Sequence, residues 1–186
     1  MAAYPSDDIA GHLRHMNAAT PLLFDEVIVF TAEIETAVID VALQWTLGPY
    51  EKIHSFVNGI ATTGGGMHVE GFKKGLTGAV KGAAQKPLRE TSTPVVELLG
   101  EDIREGLTAI IWADVDAPLF EGWMHSKLAN LEVRPAVERT THHFLGEWFE
   151  ENPFLARRVV DKSTAAADLR AAAREEWEKR RRGDRP

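Results

Sequence analysis

The chain has 186 residues, a formal net charge of −7 and no cysteine. The length predicts one domain, and the lack of cysteine excludes a disulfide framework, a cysteine nucleophile and thiolate zinc sites. The acidic balance disfavours DNA contact by the globular body, because phosphate neutralisation needs a basic excess. No apolar run reaches the length of a membrane span, and residues 1–8 lack the features of a secretory signal, so we expect a cytoplasmic protein.

The N-terminal part of the chain predicts one helix followed by three strands. An apolar stripe at helical spacing predicts a helix over residues 6–17. Segments rich in Val, Ile and Phe predict strands over 26–35, 39–45 and 53–60, and the second of these alternates apolar and polar residues. A meander is the simplest connection of three successive strands, so we expect them to be neighbours in this order.

The middle of the chain predicts a glycine loop that leads into a helix. Residues 62–66 contain three glycines in a row and cannot form regular structure. Residues 68–84 follow with helical spacing, and we expect a surface loop over 85–100. Small residues let this helix sit close to a sheet, since four of its positions are glycine: Gly71, Gly75, Gly78 and Gly82.

The C-terminal part predicts a short helix over 100–106, a strand over 107–115, a loop over 116–122 and two helices that begin near Arg134 and Pro153. The last helix carries opposite charges at i,i+4 spacing, which is typical of a solvated helix that projects from a body. Taken in order, the elements predict an α+β fold in which helices pack on one sheet.

Four blocks of sequence, in order, carry a resemblance to a known family. They are VALQW (41–45), FVNGIATTGGGMHVEGFKKGLTGAV (56–80), GEDIREGLTAII (100–111) and FEGWMHSKLANLEVR (120–134). Together they resemble the transducer domain of the B subunit of DNA gyrase and topoisomerase IV, which are type IIA topoisomerases. The resemblance spans residues 4–182, which is nearly the whole chain.

The resemblance implies a ribosomal S5 domain 2-like fold, with one mostly antiparallel sheet, helices on one side and a long C-terminal helix. It implies a single domain over 1–186, with a core over 4–151 and a projecting helix over 152–186. The family's ATPase and TOPRIM domains have no counterpart in the chain, and neither of the usual glycine-rich phosphate motifs occurs. We therefore expect no cofactor, no ATP binding and no ATP hydrolysis by this chain alone.

The family's transducer contributes a Gln-Thr-Lys loop to ATP chemistry, and this loop is replaced here. Trp123, Met124 and His125 occupy the three positions, while Lys127 matches the lysine that follows. The loop has either drifted or acquired a new contact, and His125 is the only candidate for catalysis. The family's glycine loop is retained as Gly65, Gly66 and His68, where the resemblance gives His68 a structural role.

Trp112 allows two interpretations. It either fills space in the strand, or it lines a ligand pocket with Trp123 and His125. No spacing of His, Asp or Glu predicts a metal site. The basic residues of 179–185 are either a solvated helix end or a weak contact for DNA or a partner.

Three functional hypotheses follow, and none of them assigns a firm catalytic residue. The first is a non-catalytic, stand-alone homologue of the transducer domain that binds topoisomerase subunits or a ligand. The second is a scaffold recruited to bind or transform a small metabolite near Trp112, Trp123 and His125. The third is a piece of a type II DNA topoisomerase that acts in trans.

Overall fold

The computed structural model describes residues 8–85, 97–122 and 124–183. In these residues, five helices accompany a five-stranded sheet and a separate two-stranded hairpin. The predicted α+β class is therefore confirmed, as is the long C-terminal helix. Within the described ranges, no helix is both long enough and apolar enough to cross a membrane.

Most helices and strands begin and end within three residues of the predicted positions, but the predicted strand over 53–60 is interrupted by a turn at Asn58 and Gly59, whose φ values are 49° and 79°. The strands are β1 (Ile28–Ile34), β2 (Ala37–Trp45), β3 (Lys52–Val57), β4 (Ile60–Ala61), β5 (Leu107–Val115), β6 (Phe120–Glu121) and β7 (Lys127–Leu128). The helices are α1 (Ile9–Asn17), α2 (Met67–Gln85), α3 (Gly100–Arg104), α4 (Val133–Glu151) and α5 (Pro153–Arg181). The predicted loop over 85–100 lies mostly outside the described residues, and β6 forms where only a loop was expected.

The strand order in the main sheet is β1-β2-β5-β3-β4. The expected meander is wrong, because β5 lies between β2 and β3, antiparallel to the first and parallel to the second. Eight of the nine residues of β5 are buried, so this apolar strand is best accommodated in the centre of the sheet. The chain returns to it through α2 and α3, as a parallel pair requires a crossover connection.

Both faces of the sheet are covered, but by different helices. The main core lies between one face of the sheet and helices α2, α4 and α5. On the opposite face, α1 places Ile9 and Leu13 over Ala42, Ile110 and Trp112. The larger helices therefore share one side as predicted, while the short α1 packs on the other.

Glycines bring α2 and α4 into close contact. A Cβ at Gly75 would lie 2.5 Å from the Glu138 carbonyl oxygen, and a Cβ at Gly71 would overlap the Arg134 carbonyl oxygen. A Cβ at Gly82, by contrast, would meet nothing within 4 Å. The small residues of α2 thus permit a close approach, but to α4 rather than to the sheet.

The first half of α5 packs on the body, and the second half projects from it. Buried residues along this helix extend as far as Ala167. Arg170 then donates from Nε and Nη2 to the two carboxylate oxygens of buried Asp102, at 2.8 and 2.9 Å. Burial opposes ionisation of Asp102, but the hydrogen bonds from Arg170 and Leu99 lower its pKa overall. The solvated part of the helix therefore begins after Arg170.

Candidate functional site

The β6–β7 hairpin is joined to the glycine loop that precedes α2. Gly64 N donates to the Ser126 carbonyl at 2.8 Å, and Leu128 N donates to the Gly65 carbonyl at 3.1 Å. Gly66 and Leu128 also form a parallel β-bridge. Two segments that are about 60 residues apart in sequence thus form one unit, which we call the junction (residues 62–66 and 126–128).

The junction requires glycine at its closest point. Gly65 and Gly66 have φ values of 72° and 133°, which side chains rarely adopt. A Cβ on Gly66 would also overlap the backbone N and O of Leu128. Because α2 begins at the next residue, Met67, the hairpin is attached directly to the start of that helix.

His68 lies beneath the glycine loop and is fully buried. Its Nε2 is 3.3 Å from Thr62 Oγ1, which is 2.7 Å from Ser55 Oγ. Burial lowers the pKa of His68 from 6.5 to about 4, so the imidazole is neutral near pH 7. Within the described residues, its Nδ1 has no hydrogen-bond partner. In this position the ring links α2, the glycine loop and β3.

The tip of the hairpin is fixed at its base and exposed at its end. His125 has a φ of 51°, and its ring lies 4.8 Å from the Phe120 ring. Lys127 Nζ is 3.1 Å from Glu121 Oε2, and this hydrogen bond raises the pKa of Lys127. Met124 is 80% exposed, and Trp123 lies outside the described residues. Lys127 is therefore already paired with a carboxylate.

Trp112 belongs to the opposite face of the sheet. Its ring stacks on Phe56 at 5.3 Å, and its Nε1 donates to Asp114 Oδ1 at 3.2 Å. It packs in the α1 cluster, whereas Phe120, the ring beside His125, packs on the main core. The structure does not bring Trp112 and His125 together, and the pocket proposed around Trp123 stays a prediction.

Three polar residues of the four sequence blocks hold backbone segments in place. Asn58 exchanges two hydrogen bonds with the backbone of Val115. Gln44 Nε2 donates to the Asp25 carbonyl, and Trp45 Nε1 donates to the Ile103 carbonyl. Their position in the fold gives these side chains structural contacts, which spacing in the sequence did not reveal.

A cationic groove between α2 and α4 was not predicted. Its volume is about 860 Å³, and its cationic lining residues are Lys73, Lys74, Lys81, Arg104, Arg134 and Arg139, with His142 beside them. Lys73 and Arg104 share Glu51, and Lys74 pairs with Glu138. In the part of the chain that the structure describes, Lys81, Arg134 and Arg139 form no ion pair, so the groove carries excess positive charge. The cations come from α2, α3 and α4, which are separated in the sequence. The sequence therefore shows only that Lys74 and Lys81 are seven residues, or two helical turns, apart on α2.

A smaller cavity of about 440 Å³ lies between β3 and the glycine loop. Ser55 and Thr62, whose hydroxyl groups are hydrogen-bonded to each other, line this cavity together with Lys73. Among the described residues, no group of three or more His, Asp or Glu side chains is arranged to hold a metal ion.

Comparison with known proteins identifies the class of molecule. A family profile described as DNA gyrase B matches residues 8–179. The DNA gyrase B subunit of Myxococcus xanthus is 40% identical over 179 residues, covering 94% of this chain and 21% of that subunit. The subunit of Mycobacterium tuberculosis H37Rv is 37% identical over 180 residues, covering 96% of this chain and 26% of that subunit.

Solved structures agree with these relatives. The 43K ATPase domain of Thermus thermophilus gyrase B, in complex with an aminocoumarin, matches with a TM-score of 0.83 and 29% identity, over 91% of this chain and 45% of that one. The topoisomerase IV ATP-binding domain of Francisella tularensis, in complex with an inhibitor, matches with a TM-score of 0.73 and 25% identity, over 88% and 43%.

The fold and sequence are thus those of a B-subunit domain of the type II topoisomerases. The chain belongs to the DNA gyrase B family. It spans about a quarter of the length of these curated relatives.

Proposed function

We propose that the chain is the transducer-type domain of the B-subunit family, without catalytic activity of its own, and that it acts by binding topoisomerase subunits. The observation that carries this proposal is the junction. The hairpin is hydrogen-bonded to the loop that starts α2, and α2 packs against α4 through glycines. We infer that a force on the hairpin tip is passed to these two helices through the backbone hydrogen bonds of the junction and the close packing of α2 on α4.

The chemistry of the junction supports a mechanical role. Thr62 is hydrogen-bonded to both Ser55 and His68. The pKa of about 4 makes His68 a poor base near neutral pH. Lys127 is paired with Glu121, and the family's Gln-Thr-Lys sequence is absent. We infer that the chain binds no ATP and works in the cytoplasm beside a DNA topoisomerase.

The test is binding of the full chain to the purified A and B subunits of a DNA gyrase, measured by isothermal titration calorimetry. We expect saturable binding to at least one subunit, without recovery of supercoiling when the chain is added to a B subunit that lacks the corresponding region. Absence of binding to both subunits would refute the proposal. The matched pair of variants is Gly66→Ala, which disrupts the junction, and Gly82→Ala, where a Cβ would meet nothing within 4 Å.

The cationic groove favours a second activity, which is contact with the phosphate backbone of DNA. Lys81, Arg134 and Arg139 line one groove of an acidic chain and form no ion pair with any other described residue. Each phosphate contact lowers the slope of log K against log salt by about 0.9 on duplex DNA. The sequence had placed any DNA contact at residues 179–185, where Arg180 pairs with Glu176 and Arg182 pairs with Glu178.

The two locations are separated by variants. Arg139→Gln with Lys81→Gln should weaken binding to duplex DNA and reduce the salt slope by roughly two contacts. Lys179→Gln with Arg181→Gln, which removes the same charge from α5, should leave the slope unchanged. The opposite pattern would place the contact on the helix end.

A further inference from the structure

Three of the six cations that line the groove between α2 and α4 are already held by carboxylates of the chain. Lys74 Nζ is 2.8 Å from Glu138 Oε1. Glu51 is shared, with its Oε1 2.7 Å from Lys73 Nζ and its Oε2 3.0 Å from Arg104 Nε. We propose that Glu51 and Glu138 are autoinhibitory counter-ions, which a phosphate backbone must displace before the groove engages all of its cations. This inference rests on the DNA contact put forward as the second activity and names what limits that contact.

Glu138 lies where the two helices are closest. A Cβ at Gly75 would lie 2.5 Å from the Glu138 carbonyl oxygen, so the backbone that carries this carboxylate is packed directly against α2. The Glu138 side chain lines the groove and is 27% exposed, while that of its partner Lys74 is 59% exposed. A DNA phosphate can therefore reach Lys74 from solvent, but it meets the negative charge of Glu138 at the same ammonium group, and the two anions repel each other.

Glu51 holds two cations at once, because both of its oxygens are engaged. Burial opposes ionisation of Glu51, but the hydrogen bonds from Lys73 and Arg104 lower its pKa overall, so the group is ionised near neutral pH. The Lys73 side chain is 38% exposed and that of Arg104 is 17% exposed. Lys73 is thus the more accessible of the two, and its release from Glu51 adds a cation at the groove surface.

The charge of the groove is small enough for one carboxylate to matter. Six cations against the three carboxylates Glu51, Glu70 and Glu138 leave a formal excess of three positive charges. The cations that form no ion pair with any described residue are also three, namely Lys81, Arg134 and Arg139. These three supply the first phosphate contacts, and the paired cations join only when their carboxylates give way. Loss of one carboxylate raises the formal excess by a third.

The experiment measures binding of the full chain to duplex DNA at several salt concentrations. Glu138→Gln should tighten binding by about two- to fivefold at fixed salt, since an ion pair of ordinary surface strength no longer has to be broken. The salt slope should steepen by up to about 0.9, because Lys74 becomes free for a phosphate. Glu147→Gln is the matched control, since it removes the same charge from α4 outside the groove. Glu51→Gln should tighten binding at least as much as Glu138→Gln, because it releases two cations.

A double-mutant cycle tests whether Glu138 acts by holding Lys74. In a Lys74→Gln background, Glu138→Gln should no longer tighten binding, because the cation that it releases is absent. A gain that persists there would mean that Glu138 repels DNA without holding Lys74, and it would overturn the inference. Thermal unfolding of each variant shows whether it is folded.

The outcomes separate this inference from the DNA contact itself. If the wild type binds DNA and Glu138→Gln binds no more tightly than Glu147→Gln, the inference is overturned and the DNA contact stands. If neither the wild type nor the carboxylate variants bind DNA, both are overturned. Weaker binding by Glu138→Gln than by the wild type would show that the carboxylate positions Lys74 for a phosphate, which also overturns the inference.

Discussion

Burial of His68 makes the stability of the fold depend on pH below neutrality. Burial lowers the pKa of this imidazole from 6.5 to about 4 in the folded state. Between these two values the unfolded chain takes up a proton and the folded chain does not. The contribution of His68 to the free energy of unfolding is therefore fully present well above pH 6.5 and is lost as the pH falls toward 4.

The size of the effect follows from the two pKa values. Between pH 7 and pH 5, His68 alone should reduce the free energy of unfolding by about 2 kcal/mol. Asp102 and Glu51 have lowered pKa values and begin to contribute only below their ordinary pKa values of 3.8 and 4.5. The pKa of His54 is also lowered, by burial and by His12 and Lys52, so His54 adds a contribution of the same sign.

The assay is urea unfolding at pH 7, 6, 5.5 and 5, for the wild type, His68→Gln and His54→Gln. Gln at position 68 retains a polar group that can reach Thr62 but does not titrate. We expect His68→Gln to remove most of the pH dependence and His54→Gln to remove a smaller part. The reasoning is refuted if His68→Gln and the wild type show equal slopes, or if the His68 ring titrates near pH 6.5 by NMR.

Three further predictions concern the stability of the fold. Gly75→Ala should lower the free energy of unfolding by at least about 2 kcal/mol, because its Cβ meets the Glu138 carbonyl. Gly82→Ala in the same helix should raise the free energy of unfolding by up to about 1 kcal/mol. Thermal unfolding of the two variants tests this, and equal effects would contradict it. Gly66→Ala should cost at least about 2 kcal/mol and expose the amide of Leu128 to hydrogen exchange; unchanged protection would disprove the junction's role. Arg170→Ala should lower the urea midpoint well below that of Arg174→Ala, since only Arg170 pairs with a buried carboxylate; equal midpoints would show that the Asp102 pair adds nothing.

Local structure was largely predictable, because its causes lie within each segment. Periodic apolar residues placed α2, α4 and β5 to within one residue of their ends. Pro153 at the start of α5 fixed the boundary between the last two helices, as proline suits the first helical turn. These features depend on neighbours along the chain, which the sequence displays directly.

The arrangement of the elements was less predictable, because it depends on partners distant in sequence. The insertion of β5 beside β3 arises from the burial of both faces of β5, and nothing within residues 39–60 signals it. The glycines in α2 predicted a close approach but did not identify α4 as the partner. The groove could not be predicted for the same reason, since the cations that line it come from helices that are far apart in the chain.

The junction explains how the loop at 123–125 can change while the fold persists. Its hydrogen bonds use backbone atoms only, from Gly64, Gly65, Ser126 and Leu128. The side chains at the tip contribute nothing to those bonds, and Met124 makes little contact with the body because it is 80% exposed. Replacement of Met124 should therefore leave the free energy of unfolding within about 0.5 kcal/mol of the wild type, as at other exposed sites.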